Sequence, residues 1–256
     1  MKNSFYDNIQ KSVSQNRLST YRNHGSGISN KSVIINYVLN AKISENFYFL
    51  LQNLEVSLRN AIYDSFKKHY IGNDFFYISE SDSRNRYYPR REKHSRECWK
   101  MLCGVKYSLR NITSLNDGKI ISELNFGFWT ELLLSNDQKY TNMWRKIFSD
   151  VFPNYQIINS VDRDKTIVAR KIDQIRKFRN RIFHYEPVFN QINLEEIHQN
   201  IVDLIGWINK DMQELSLTFD EFHLISKEKN HISKQFRNNS LSKKRKILKM
   251  KYRRIR

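Results

Sequence analysis

Apolar residues recur at three- and four-residue steps along most of this chain, which is the pattern of amphipathic α-helices. The clearest early example places the apolar residues from Ile43 to Phe66 on one face of a helix that spans about 44–69. Only three prolines and seven glycines occur in 256 residues, and β-rich folds usually need more turn residues than this. The pattern therefore predicts an all-α fold.

The same periodicity predicts the remaining elements. Further helices are expected over about 94–112, 120–134 with an interruption at Gly127, 137–152, 162–184 and 194–215. Three regions follow from this division: a polar N-terminal helix and loop over 1–26, one helical domain over 27–226, and a basic C-terminal tail over 227–256.

Positive charge is concentrated in the tail. The formal net charge is +18, and residues 227–256 carry thirteen Lys and Arg against the single Glu228, which is +12 of that total. Such a segment favours a polyanionic partner. Its residues expected to contact the phosphates of a nucleic acid are Lys243, Lys244, Arg245, Lys246, Lys249, Lys251, Arg253 and Arg254. A basic helix on a membrane surface and a solvated tail without a partner are the competing interpretations.

Composition argues against several other classes of protein. Cys98 and Cys103 are too few for a disulfide framework, and no stretch has the roughly 18 to 20 apolar residues of a membrane span. The start of the chain lacks the apolar core of a signal peptide, so we expect a cytoplasmic protein with no membrane partner. His94 and Cys98 share a helix face, but a full ligand set is missing, so no metal and no cofactor are expected.

The nine residues RNRIFHYEP, from Arg179 to Pro187, interrupt the pattern of the best predicted helix. Its apolar stripe consists of Val168, Ile172, Ile175 and Ile182, and position 179 lies on that stripe. A guanidinium among apolar side chains is costly unless it is paired. A salt-bridged or snorkelling arginine is one explanation. An arginine that borders a cleft and meets phosphate there is the other.

The end of this helix carries residues suited to phosphodiester chemistry. Asn180 and His184 are four residues apart and share a face, which Arg176 extends by one turn. Because Pro187 disfavours helix at the residue before it, His184 is expected in the last turn and exposed. A histidine that titrates near neutral pH, an amide that orients it and an arginine that binds phosphate form a catalytic set. A histidine that merely caps the helix is the alternative.

The segment resembles the Arg–(four to six residues)–His signature of the HEPN superfamily of helical domains, in its Arg-Asn-x-x-x-His form. Four segments are similar, in this order, to the Abi-like family, which is the AbiD/AbiF group of bacterial abortive-infection proteins. They are SQNRLSTY (14–21), ISENFYFLLQNLEVSLRNAI (43–62), LNFGFWTELL (124–133) and RNRIFHYEPVF (179–189). The resemblance covers about 15–215 and leaves out the basic tail.

The resemblance implies a HEPN-like helical bundle with additional helices. It also implies a metal-independent RNA endonuclease that acts as a homodimer, each chain supplying one Arg/His set to a composite active site. In that case His184 is the general base or acid, Arg179 binds the scissile phosphate, and Asn180 holds the histidine or the phosphate. Some HEPN toxins are silenced by AMPylation of a tyrosine two residues after the histidine. Glu186 occupies that position here, so this control is not expected.

Several residues and functions stay open. Arg176, Lys177 and Arg181 are further candidates for RNA binding. Arg59 and Asn60 repeat the Arg-Asn pair without a following histidine, and they either pack the helix with Glu55 or line the cleft. A bound RNA or a partner protein would keep the nuclease silent. The rival hypotheses are an RNA-binding HEPN protein that does not cleave and a helical protein that acts on other proteins.

Overall fold

The computed structural model describes residues 3–22, 29–70, 93–112, 116–225, 227, 231 and 232. Within these residues the chain forms ten α-helices, one short 3₁₀-helix and no strand, which confirms the all-α prediction. The helices are α1 (Asn3–Val13), α2 (Gln15–Ser19), α3 (Asn30–His69), α4 (Lys93–Ser108), α5 (Asp117–Glu123), α6 (Phe126–Leu134), α7 (Gln138–Val151), α8 (Val161–Phe183), α9 (Leu194–Ile208) and α10 (Lys210–Thr218). No helix among the described residues is long and apolar enough to span a membrane.

Three boundaries differ from the sequence prediction. Helix α3 begins at Asn30, well before the predicted start, because its first turns bury Val33 and Ile34. The helix predicted over 120–134 is interrupted before Gly127, at Asn125, whose side-chain oxygen accepts a hydrogen bond from Phe128 N at 3.1 Å. A Cβ at Gly127 would lie 2.9 Å from that oxygen, so the glycine leaves room for the cap.

The predicted helix over 194–215 is also divided, at Asn209. The Asn209 side chain accepts a hydrogen bond from Met212 N at 2.9 Å and begins α10. An asparagine in extended backbone with this bond is a typical N-cap. Apolar residues continue at helical spacing across both breaks. At each break a single asparagine, Asn125 or Asn209, caps the helix that follows.

The chain divides into two compact units, and the division falls within α3 and α8. The first unit contains residues 1–49, 181–192 and 220–256, and the second contains 50–180 and 193–219. In the first unit a small core holds α1, α2 and the start of α3 together. It consists of Tyr6, Leu18, Tyr21, Val33 and Ile34, and Phe189 packs against it.

The second unit has an aromatic core. Trp129 on α6 and Trp144 on α7 are fully buried, and Trp144 Nε1 donates a hydrogen bond to the Leu132 carbonyl at 3.0 Å. Satisfying the indole N–H lets a large apolar side chain be buried without an unpaired donor. Phe128, beside Trp129 on α6, is buried in the same core.

A buried carboxylate organises the start of α8. Asp164 accepts hydrogen bonds from the backbone N–H groups of Ile158 (2.9 Å) and Asn159 (3.1 Å), and from the Asn159 amide (2.8 Å). These bonds, first among them that of the Asn159 side chain, hold the pKa of Asp164 below its ordinary value of 3.8 despite burial. The carboxylate thus ties the loop before α8 to the first turn of the helix that carries the motif.

We predict that Asp164→Asn lowers the free energy of unfolding by about 1–3 kcal/mol at neutral pH, because an amide cannot accept from all these donors. A carboxyl whose folded pKa is depressed stabilises above its unfolded pKa and loses that contribution as pH falls through the folded value. The difference between wild type and variant should therefore shrink below pH 3.8.

Chemical denaturation followed by circular dichroism measures this difference. Asp162→Asn is the matched control, since Asp162 lies in the same helical turn but pairs with Arg145 on the surface. An exposed pair should contribute less than about 1 kcal/mol. Equal losses for the two variants would contradict the role assigned to Asp164.

Candidate functional site

The structure places Arg179 and Asn180 near the end of α8 and His184 at the first residue after the helix. Tyr185 N donates to the Ile182 carbonyl at 3.0 Å, and Glu186 N donates to the Arg181 carbonyl at 2.8 Å. This pair of bonds is a Schellman motif, which satisfies carbonyls that a helix end otherwise leaves open. The helix therefore ends at Phe183, one residue before the predicted end at His184.

Tyr185 holds an unusual backbone conformation in this motif. Its φ is +57°, the left-handed region that normally favours glycine at this position. For an L-residue with a Cβ this conformation costs about 1–2 kcal/mol. The side chain is 74% exposed, so packing of the ring offsets little of that cost. A residue keeps such a strained conformation when contacts with its neighbours fix its backbone dihedral angles.

Asn40 on α3 makes several of the hydrogen bonds that fix the backbone of this turn. Its Oδ1 accepts hydrogen bonds from Val188 N at 2.6 Å and Phe189 N at 3.1 Å, and its Nδ2 donates to the Glu186 carbonyl at 3.3 Å. Asn40 is buried, so the bonds are shielded from water. One amide thus fixes the backbone on both sides of Pro187, at positions 186, 188 and 189, while Pro187 itself has no N–H to donate.

Arg17 on α2 holds the other side of the turn. Its Nη1 donates to the Tyr185 carbonyl at 2.8 Å and its Nη2 to the His184 carbonyl at 3.4 Å. Tyr21 Oη also donates to the Tyr185 carbonyl, at 3.3 Å. Burial raises the pKa of Tyr21, and the nearby Arg17 partly offsets this, so the phenol stays protonated and able to donate.

We call these residues the turn clamp: Arg17, Tyr21 and Asn40. The clamp fixes the backbone of 184–189, while the imidazole of His184 is exposed. Sequence reasoning missed all three as functional positions. Arg17 lies in the segment quoted for the family resemblance, but its partners are 167 and 168 residues away. No local pattern could assign them.

Arg179 has a carboxylate partner. Its Nη2 lies 3.4 Å from Glu55 Oε2 on α3, and the side chains of Arg179 and Glu55 are 24% and 21% exposed. The salt-bridge explanation for an arginine on an apolar stripe is therefore confirmed, and the four apolar residues of that stripe are buried. Because the pair is not fully buried, a ligand can still approach the guanidinium.

Arg59 lies one helical turn after Glu55 on α3. Among the described ion pairs, Glu55 bonds Arg179 and not Arg59. The Nε of Arg59 is buried and has no hydrogen-bond partner among the described residues. Asn60 is exposed. The ion pair between Glu55 and Arg179 thus places this turn of α3 beside α8.

The other predicted RNA-binding residues on α8 have partners within the chain. Arg176 and Lys177 both pair with Asp173, each at 2.7 Å. Burial works against ionisation of Asp173, but hydrogen bonds from Lys177 and Arg176 bring its pKa below the ordinary value. Arg181 donates to the Pro187 carbonyl at 2.7 Å and so supports the turn. The eight tail residues from Lys243 to Arg254 lie outside the described residues.

The described part of the chain contains no group of three or more His, Cys, Asp or Glu residues that could hold a metal ion. His94 Nδ1 bonds the Glu131 carboxylate, and the Cys98 thiol donates to the Phe128 carbonyl at 3.8 Å. Both side chains are thus engaged in the packing of α4 against α6.

The chain matches no protein-family model, and no curated protein or solved structure is significantly similar to it.

We predict that Asn40→Ala lowers the free energy of unfolding by about 2–4 kcal/mol, since it strands the N–H groups of Val188 and Phe189. Denaturant unfolding measures this loss. Asn46→Ala is the matched control, because the bond that Asn46 makes among the described residues is to the Lys42 carbonyl of its own helix, at 2.8 Å. Similar stability of the two variants would contradict a clamp centred on Asn40.

Proposed function

We propose that this chain is a metal-independent RNA endonuclease of the HEPN type that acts in bacterial abortive infection. The observation that carries the proposal is an exposed histidine, His184, at a helix end whose backbone the turn clamp holds. It lies five residues after Arg179 and four after Asn180. Preorganised catalytic groups need such rigid support. Exposure leaves the imidazole accessible to a substrate as large as RNA.

The proposed reaction uses the RNA's own 2′-hydroxyl. The imidazole of His184 accepts the proton of that hydroxyl, whose oxygen bonds to the adjacent phosphorus while the bond from phosphorus to the 5′-oxygen breaks. Return of a proton to the 5′-oxygen completes the step and leaves a 2′,3′-cyclic phosphate and a 5′-hydroxyl. DNA lacks the nucleophile and would not be a substrate.

Arg179 would stabilise the charge that develops on the phosphate. The Arg179 side chain is 24% exposed where it meets Glu55. A phosphate would join the carboxylate there or replace it. Asn180 is half-buried in the same turn, four residues before the histidine, and would orient the imidazole or the phosphate.

The assembly belongs to the same proposal. A homodimer would place the Arg/His sets of two chains in one cleft, in the cytoplasm. The net charge of +18 supports RNA as substrate and as a bound regulator, with the basic tail contacting phosphates.

A second function is favoured by one specific observation. Because Glu55 already pairs with Arg179, the arginine has a structural role that does not need catalysis. In that case the chain binds RNA through its basic surface without cleaving it.

His184→Ala separates these two functions. We predict that cleavage of labelled single-stranded RNA in EDTA falls at least about 100-fold, as loss of a general acid–base group requires. RNA affinity should stay within about two-fold, since a single exposed side chain is removed. Gel analysis of the products, with a test for cyclic-phosphate ends, measures the loss.

His223→Ala is the matched control, because His223 is another exposed histidine, within the 3₁₀-helix Phe222–Leu224. It should cleave like the wild type. Cleavage that persists in His184→Ala, or that requires a divalent metal, would refute the proposed mechanism. Tight RNA binding with no cleavage by the wild type would favour the binding function.

A further inference from the structure

A cavity of about 670 Å³ opens in the first unit beside the turn that carries His184. Its walls come from α1, α2, the first half of α3 and the end of α8. Phe183 and Tyr185, which flank His184 in the chain, both line it. The volume is within the range of about 300–1,000 Å³ typical of ligand pockets.

The cavity is lined by aromatic rings, several of which face solvent. Tyr48 is 53% exposed and Phe183 is 41% exposed. Their rings stack with centroids 5.8 Å apart and planes inclined by 29°. Together with Tyr185 they form an exposed aromatic surface at the cavity. Exposed apolar surfaces of this kind often mark a binding site. Flat rings with accessible faces are suited to stacking against another flat group.

The polar groups of the cavity favour an RNA occupant. Arg17 contributes a guanidinium that the carbonyls of His184 and Tyr185 hold in place. Glu45, the acidic residue of the lining, pairs with Lys42 at 2.7 Å. The cation held in the lining, and the lysine paired with the carboxylate, make the cavity electrostatically compatible with a polyanion.

We propose that this cavity binds a nucleobase of single-stranded RNA, stacked on the Tyr48–Phe183 pair, and so positions the substrate at His184. The inference rests on the proposed function and adds the site that holds the base. Because Phe183 and Tyr185 flank His184, a base held by them brings its own backbone to the imidazole. Every base has a stacking face, so recognition is tolerant of sequence. Bases paired inside a duplex cannot enter, so the site selects single strands.

The test uses the full chain with His184→Ala, so that binding is measured without cleavage. The probes are a short single-stranded RNA, an abasic strand with the same ribose-phosphate backbone, and the RNA paired with its complement. Adding Tyr48→Ala should weaken binding of the base-bearing strand about 5- to 100-fold, the range expected for loss of one stacking contact. Binding of the abasic strand should not change. Fluorescence anisotropy at one fixed salt concentration measures all three affinities.

Tyr48→Phe keeps the ring and should keep the affinity. Tyr107→Ala is the matched control, since Tyr107 is 68% exposed on α4 and lies outside the cavity. Equal weakening of base-bearing and abasic strands, or no weakening of either, would overturn the proposal. A shift in sedimentation of Tyr48→Ala in the absence of RNA would also overturn it, because a second copy of the chain would then occupy the cavity.

Failure of this inference can be told apart from failure of the proposed function. Base-dependent binding through Tyr48, with no cleavage by the chain that retains His184, would leave the nucleobase site standing and remove the nuclease. Cleavage that depends on His184, with no effect of Tyr48→Ala on affinity, would leave the nuclease standing and remove the base site.

Discussion

The amide of Asn40 is the interaction on which the candidate site depends. Without it, the chain after α8 would leave the buried N–H of Val188 unsatisfied and would have little reason to keep Tyr185 at φ +57°. With it, and with Arg17 on the carbonyls of His184 and Tyr185, the left-handed turn is held from two helices of the first unit. A backbone held in this way lets His184 be exposed and still keep a defined position.

Most of the helical framework could be predicted from apolar periodicity, since burial of one face decides where helices form. The end of α8 was also predictable, because Pro187 excludes helix just before it. The breaks at Asn125 and Asn209 were not. Each depends on one side chain that accepts a hydrogen bond from the N–H three residues on, and apolar residues continue across both. Apolar periodicity indicates which residues are buried, but it does not indicate which side chains cap a helix.

The candidate site was predictable only in part. The sequence identifies Arg179 as an unexpected charge on an apolar stripe. Its partner, Glu55, lies 124 residues away. No local pattern indicates that this carboxylate pairs with Arg179 and not with Arg59. Arg176 and Lys177, expected to face RNA, both pair with Asp173 because the helix places it three and four residues before them. The turn clamp and the aromatic cavity arise from contacts between distant segments, which one sequence does not reveal.

The account turns on whether RNA reaches the imidazole at the end of α8. The most direct measurement follows the NMR signals of the histidine side chains while a single-stranded RNA with methylated 2′-hydroxyls, which cannot be cleaved, is added to saturation. The account predicts that the signals of His184 shift as the RNA binds, and that those of His223 do not. Saturation by RNA with the His184 signals unchanged would contradict it, and would place the RNA-binding surface elsewhere on the chain.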